Sequence, residues 1–405
     1  MNNKIVITGL GIVSPLGLGK DKFWQSLISG KNSIKKIKNF NTRQYRTHHG
    51  GQVPSFSLQK YIQNKKNKMG SVSKYAVAAT AMALKDAQLK PRDISTKKIG
   101  VFIGTTLGEA QDFNKIVSVY RKNKGLKIPL SLIRNIPTNS IPNNIAKTFD
   151  LKSSNLAFLT ACSAGNAAIS AGFELIKAGK LDLAIVGGAE AFSLQKFAGF
   201  NQLGAVATRK CQPFSRNRQG LILSEGAGIL IIESEKLARQ RDAYIYGEIL
   251  GYGASCDAYH LTNLDPTGEG IIRAYKDLFK SIKISKQKID YINAHGTGTI
   301  DNDRIEVKAL KKLFGKKIKQ IPISSIKSML GHSMGAASAI EAIACALVIN
   351  QGVIPPTINY ESLDPECDID CVPNNARYQK VNIALSNSFG FGGNNVILAI
   401  GAYSA

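Results

Sequence analysis

The strongest constraint on how this chain can fold is a succession of apolar, β-rich runs, each stopped by glycine or a small polar residue. KIVITGLGIVSP (4–15), KIGVFIGTT (98–106), NLAFLTA (155–161), LDLAIVGGAE (181–190) and GAGILIIE (226–233) follow one another. Helical patterns such as KYAVAATAMALKDAQL (74–89) and SAGNAAISAGFELIKAG (163–179) lie between them. Near-continuous apolar runs belong to strands covered on both faces. Strand and helix in alternation predict an α/β protein with largely parallel sheets.

The pattern then starts again. AYIYGEILGYG (243–253), a helix near 268–283, KIDYINAHGTG (288–298), IPISSIK (321–327), a helix over 333–349 and NIALSNSFGFGGNNVILAI (382–400) repeat the alternation. KID-YINAHGTG echoes KIG-VFIGTT in kind and offset, so two related halves are expected, residues 1–242 and 243–405. Around 110–150 and 190–220 the alternation breaks, which suggests insertions that cap the halves and carry specificity. At 405 residues the chain can bury a large core without staples.

Cysteine and charge narrow the setting. Six cysteines are scattered without an export signal, and MNNKIVITGLGIVSPLG enters a strand-like pattern directly, unlike a secretory leader. No run reads as the roughly 18 apolar residues of a membrane helix. The expectation is a cytoplasmic protein with reduced thiols and no membrane insertion. Cys367 and Cys371 have no matching second pair and read as surface thiols rather than a zinc site. Lys and Arg total 53 against 28 acidic residues, a net charge of +25. That excess favours acidic partners through salt-sensitive steering, with nucleic acid and an acidic carrier protein as candidates. With no zinc finger, aromatic RNA-binding signature or arginine-rich tail, nucleic acid is set aside.

FLTACSAGNAA (158–168) places Cys162 between a strand and a chain of tiny side chains. A thiol at a helix N-terminus meets unpaired amides that favour its anion, and the thiolate is the attacking form. By itself the stretch fits core filler equally. His295 in NAHGTGT and His332 in SMLGHSMGAA stand in glycine-flanked turns after predicted strands, where exposed polar backbone makes a core role poor. A nucleophilic cysteine with two such histidines offers an acyl acceptor and two donors to an oxyanion. Lys327 adds positive potential nearby. In SFGFGG (388–393), Gly390, Gly392 and Gly393 permit close backbone approach, so an amide there suits an oxyanion hole.

Taken together, TACSAG, NAHGTGT, SIKSMLGHSMGAA and NSFGFGG, in this order and spacing, resemble the β-ketoacyl-acyl-carrier-protein synthases, most closely the elongating type II class. The resemblance runs over essentially the whole chain. It implies a thiolase-like fold, two pseudo-repeated α/β halves in a five-layered α-β-α-β-α core, assembled as a homodimer. It also implies a decarboxylating Claisen condensation with no cofactor beyond the phosphopantetheine arm of an acidic acyl carrier protein. By resemblance, Cys162 takes the acyl chain as a thioester while its own amide and that of Phe391 hold the oxyanion. His295 and His332 bind the malonyl thioester and stabilise the enolate left when carbon dioxide departs. Thr297 and Thr299 match hydroxyls that hold the pantetheine arm, and Lys327 and Glu306 match supporting residues expected to pair. Phe391 resembles an acylation-sensitive gate, and Leu107 and Phe200 match acyl-pocket positions. Lys65, Lys66 and Lys68, with Arg209 and Lys210, fall where related synthases dock the carrier. Asn293, Glu341, Ser386 and Asn387 resemble a structural monovalent-cation site, with no catalytic metal implied.

The chain departs from the family pattern at Ile300 and Asn302 in HGTGTIDND, and at Asn394 after the glycine pair. Those departures bear on loop geometry around Asp303 and the gate. Fatty-acid elongation is the leading expectation, and the same condensation in a polyketide or polyene pathway is its rival. Initiating synthases typically carry Cys-His-Asn and thiolases a second cysteine, neither of which fits. A non-catalytic chain-length-factor-like partner would have lost the cysteine that this chain keeps.

Overall fold

The computed structural model describes residues 4–62, 68–94, 96–122 and 128–404. In the first half, strands β1 (Ile5–Ser14), β2 (Ile99–Gly104), β3 (Ser153–Phe158), β4 (Leu183–Glu190) and β5 (Gly226–Ser234) lie side by side in the order β1-β5-β4-β2-β3. In the second, β6 (Gly247–Cys256), β7 (Tyr291–Asn293), β8 (Ile323–Ser324), β9 (Ile383–Gly390) and β10 (Asn394–Gly401) lie in the order β6-β10-β9-β7-β8. The two orders are the same, so the repetition in the sequence is a repetition of topology. β1 and β6 join the sets where Ile5–Ile7 pairs antiparallel with Gly247–Ile249. Position 242 falls in the link between the halves, after a short helix Glu235–Gln240.

Pairing is less parallel than the sequence suggests. β2 is parallel to β3 and β4, and β7 to β8 and β9. β5 against β4 and β1, and β10 against β9 and β6, are antiparallel. One cause is local: residues 382–400 are two strands closed by the tight turn Phe391–Gly393, and a strand that folds back on its neighbour pairs antiparallel.

Helices α1 (Ser71–Asp86), α2 (Ser140–Thr148), α3 (Ala164–Lys177), α4 (Leu194–Gln202), α5 (Glu269–Ile282), α6 (Ile300–Phe314) and α7 (Ala337–Gln351) cover these strands. α1 and α2 close the outer core of the first half around Val77, Ile103, Ile145 and Ile229, and α5 and α6 close that of the second around Tyr275, Leu310 and Ile397. Between the halves, α3 and α7 share one core with Phe102, Leu230, Tyr291 and Leu398. This is the expected α-β-α-β-α succession. α3 carries Ala and Gly at many turns, which lets it lie close enough for the Asn166 amide to donate to Ser338 Oγ at 3.0 Å.

α7 is apolar on every side but for Ser338 and Glu341 and is buried from Ala337 to Val348, the signature of a helix with no solvent face. Its span Met334–Gln351 is, among the described residues, the one helix long and apolar enough to cross a membrane, a span missed by the run-by-run reading. It is 83% buried inside the fold. The 110–150 insertion holds the helix Ala110–Lys122, a turn of helix at Leu130–Ile133, and α2. Cys367 and Cys371 correct an expectation: both are buried against α6 with Leu310 and Phe314, not surface thiols.

Candidate active site

Cys162 sits in the turn Ala161–Ser163, between the end of β3 and the start of α3. Ala161 has φ 50°, a left-handed conformation that residues with a Cβ seldom enter. Ser163 ties the turn down, its hydroxyl donating to the Thr160 carbonyl at 2.7 Å and its amide at 3.2 Å. The placement at a helix start is as expected, but the charge state is not. Burial pushes the thiol up to about 12; Lys327 and the Phe391 amide pull it down, and Glu341 and Glu190 push it further up. In the resting site the desolvation of a sulfur anion therefore outweighs the favourable helix end, and Cys162 rests as a thiol.

His332 occupies the corresponding slot of the second half, after β8 and before α7. Its backbone is clasped by residues 222–224, its amide donating to Ile222 O at 2.7 Å and its carbonyl accepting from Ser224 at 2.9 Å. Gly331, at φ 80°, makes the turn that delivers it. The Met334 amide donates to His332 Nδ1 at 3.3 Å, so in the neutral ring Nε2 carries the hydrogen, and Nε2 lies 3.1 Å from Cys162 Sγ.

His295 follows β7. Its loop is held by Glu306 of α6, whose carboxylate accepts the amides of His295 (2.9 Å) and Gly296 (2.8 Å) and the Asn387 side chain (3.0 Å). These amides, not Lys327, are the partners of Glu306, which corrects the pairing expected from resemblance. Lys327 pairs instead with Glu341 of α7, both buried. Burial raises Glu306 to about 6 and Glu341 to about 7, the latter opposed by Lys327. The rings of His295 and His332 meet edge to face at 5.4 Å, and His295 leans on Phe389 at 5.6 Å. Both histidines are buried, against the expectation of exposed turns. Burial first, and then the Lys327 charge, holds both well below the usual imidazole range, so both are neutral at pH 7.

Cys162, His295 and His332 bring their ligand atoms within 4.8 Å of one another. The set has the composition of a zinc site, but the Met334 amide leaves His332 Nε2 protonated, a hydrogen-bond donor rather than a lone pair. The trio opens into a cavity of about 540 Å³ lined by Phe200, Thr297, Thr299, Ile300, Phe389 and Phe391 among others. Thr297 and Thr299 hydroxyls stand 2.8 Å apart. Phe391 stacks on Phe200 of α4 at 5.4 Å. The loop before Phe391 runs so close to the nucleophile turn that a Cβ on Gly390 would sit 2.8 Å from Thr160 O and 3.1 Å from Cys162 N. Only glycine allows that approach.

The departures are accommodated. Asn394 donates to the Phe391 carbonyl at 3.1 Å, fixing the turn. Asn302 donates to Asp303 at 3.1 Å, and Asp303 accepts the amides of Phe214 (2.9 Å) and Gly298 (3.2 Å). Ile300 opens α6 and is 61% exposed at the cavity mouth. Sequence reasoning missed Arg218. Its buried guanidinium donates to the carbonyls of Ser215, Thr299 and Ile300 and pairs with Asp364, clamping the loop that bears both threonines. No local signal marks it, because its partners lie 81 residues and more away apart from Ser215.

Other expected residues lie elsewhere. Leu107 is 47% exposed on the loop after β2 and does not line this cavity. Lys68 and Arg209 are exposed, and Lys210 pairs with Glu361. Lys65 and Lys66 lie outside the described residues. At the expected cation position, Asn293 Oδ1 and Glu341 Oε2 are buried acceptors without a hydrogen-bond partner among the described residues. Asn387 is engaged with Tyr275 and Glu306, and Ser386 accepts from the Asn166 side chain at its carbonyl (3.3 Å) and at its hydroxyl (3.5 Å).

The family description "Beta-ketoacyl synthase, N-terminal domain" matches residues 2–238, and "Beta-ketoacyl synthase, C-terminal domain" matches 246–361. Among curated relatives, 3-oxoacyl-[acyl-carrier-protein] synthase 2 of Staphylococcus aureus (strain N315) is 38% identical, over 100% of this chain and 99% of that one. Two solved structures are similar over the full length of both chains. The ishigamide ketosynthase/chain length factor has a TM-score of 0.96 at 37% identity. A type II PKS acyl-carrier protein in complex with its ketosynthase bound to the hexaketide has a TM-score of 0.91 at 33% identity.

Proposed function

We propose a function from one premise: the chain belongs to the β-ketoacyl synthase family. It is an acyltransferase of the 3-oxoacyl-acyl-carrier-protein synthase type, extending an acyl chain by two carbons in fatty-acid biosynthesis. The observation that carries the division of labour is the meeting of one sulfur and two neutral imidazoles, from opposite halves, at the floor of one cavity.

In the first step Cys162 Sγ attacks the thioester of an acylated carrier. The proton lost from this thiol is regained by the departing pantetheine thiol, so the exchange balances. In the second, the malonyl thioester carbonyl accepts hydrogen bonds from the two imidazoles. Carbon dioxide leaves, and the electron pair of the broken bond becomes the enolate that the neutral donors stabilise. The enolate carbon attacks the acyl-Cys162 carbonyl, whose oxyanion is received by the amides of Cys162 and Phe391. Collapse expels the thiolate and leaves a β-ketoacyl chain on the carrier. Lys327 holds both histidines in the neutral, donating form, and Glu341 neutralises Lys327 within the core.

Further readings extend this one. Thr297 and Thr299 hold the pantetheine arm, and Lys68, Arg209 and Lys210, with Lys65 and Lys66, dock an acidic carrier. A homodimer forms through β3, which ends the sheet as an unpaired edge with Leu156 49% and Leu159 54% exposed beside Leu107. Asn293, Glu341 and Ser386 would hold a structural monovalent cation. The halves divide near 242, no cofactor beyond the carrier's arm takes part, and the protein works in the cytoplasm. A second reading, the same condensation in a polyketide pathway, is supported by the similarity to the ketosynthase solved with a type II PKS acyl-carrier protein.

Mass spectrometry after incubation with an acyl carrier substrate is the direct test. The acyl adduct is expected on Cys162 and absent in Cys162→Ala; well-folded protein that takes no adduct would leave the chain a non-catalytic partner subunit.

A further inference from the structure

The loop that carries Thr297 and Thr299 belongs to the second half, yet its backbone is held largely from the first. Five successive carbonyls are taken. Gly296 O accepts the Ser325 hydroxyl at 2.6 Å, Thr297 O the Cys211 thiol at 3.2 Å, and Gly298 O the Gly220 amide at 2.9 Å. Thr299 O and Ile300 O accept Nε and Nη2 of one guanidinium, that of Arg218, at 3.3 and 3.0 Å. Its remaining nitrogen, Nη1, donates to Ser215 O at 3.0 Å and pairs with Asp364. Ser325 apart, every donor named lies in the strap from Cys211 to Gly220. Arg218 is only 5% exposed and does not line the cavity, whereas Thr297 and Thr299 do. Their hydroxyls share one hydrogen across 2.8 Å, and the Thr299 amide donates to Thr297 Oγ1 at 3.4 Å. Two hydroxyls carry two hydrogens, so whichever way the shared one points, one is left for an acceptor in the cavity.

We infer that Arg218 is a positioning residue for the reaction: through the carbonyls of Thr299 and Ile300 it sets the hydroxyl pair to receive an amide oxygen of the carrier's arm, and so makes the site prefer thioesters that bear amides over those that do not. This rests on the condensation reading above and says how that site tells its substrates from simpler thioesters. Arg218 itself touches no substrate. Its flat fork spans two neighbouring carbonyls while its far side is anchored on Ser215 and Asp364, a geometry that fixes position as well as charge. Lysine keeps the charge but not the fork, since one ammonium on a flexible stem cannot meet all four acceptors at once. The hydroxyls then lose their fixed place, although nothing at Cys162 or the histidines has changed.

The test presents one acyl group as its pantetheine thioester and as its ethyl thioester. Loading on Cys162 is followed by intact mass, and the maximal rate and half-saturating concentration are measured for each. The native protein is expected to prefer the pantetheine thioester. Arg218→Lys is expected to lower the loading efficiency of that thioester about 10²-fold, chiefly through the half-saturating concentration, as a displacement of about 1 Å does, while loading from the ethyl thioester changes little. In a Thr297→Val/Thr299→Val background the same change is expected to add little, because the hydroxyls it positions are gone. Native protein that loads both thioesters equally overturns the inference. So does an Arg218→Lys protein that loses both alike, the mark of a merely structural residue, or one that keeps the native preference. Should Arg218→Lys fail to fold, Asp364→Asn, which leaves both carbonyl bonds and removes the anchor, decides in its place: a smaller loss of the same preference supports the inference and an unchanged preference overturns it. Native protein that loads neither thioester overturns it too if an acyl carrier still loads, and counts against the condensation reading if the carrier does not.

Discussion

The two halves fold alike and do different chemistry, and the contrast is sharpest at one shared slot, the stretch between the third strand and the central helix. In the first half that stretch is short, from Phe158 to Ala164, and carries Cys162; in the second it runs from Ser324 to Ala337 and carries His332. The added length holds an extra helical turn, Lys327–Leu330, which supplies the buried ammonium that the first half lacks there. Because α3 and α7 pack against each other, the two slots face across the interface between halves and bring Sγ and Nε2 to 3.1 Å. Duplicated topology thus lets one half specialise in bonding the acyl group and the other in stabilising charge.

The largest effect should fall on that division. Cys162→Ala is expected to cut condensation by about 10⁴-fold or more, while Cys162→Gln still releases carbon dioxide from malonyl carrier. If decarboxylation vanished with the cysteine, the halves would not be separable. Next comes the charge of the second half. Lys327→Ala strands the Glu341 carboxylate in the core and should cost about 3–5 kcal/mol in denaturant unfolding, an unchanged midpoint refuting a buried pair. Replacing His295 or His332 by alanine should slow decarboxylation about 10²–10³-fold, as loss of one donor to a developing oxyanion does. Insensitivity to both would reassign that step.

The last effect, read against pH rather than by substituting a catalytic group, is the most diagnostic of the first half. With the thiol at about 12, the reactive anion fraction grows tenfold for each unit of pH below that value. Alkylation of Cys162 by iodoacetamide should therefore keep rising through pH 7–10, and a plateau below pH 8 would mean that the helix start prevails over desolvation after all.

Much of this was legible in the residues. The glycine-stopped runs located nine of the ten main strands, because an apolar run must be buried wherever it folds, and the motifs around Cys162, His295, His332 and Phe391 named the chemistry. What failed did so for non-local reasons. The run at 382–400 hid a hairpin because Phe391–Gly393 is a break of only three residues between two strands. Glu306 and Lys327 are each where expected, yet their partners are a pair of amides and Glu341, which spacing along the chain cannot rank. Arg218 carried no motif at all.

The sequence by itself determined the order of strands and helices along the chain and the identity of the reactive groups, since both depend on composition over a few neighbouring residues. Tertiary structure alone decided which half each group answers to, which carboxylate meets the lysine, and whether sulfur and imidazole carry protons. Those outcomes depend on desolvation and on distances between residues up to 170 positions apart in the chain, quantities that exist only once the core has closed.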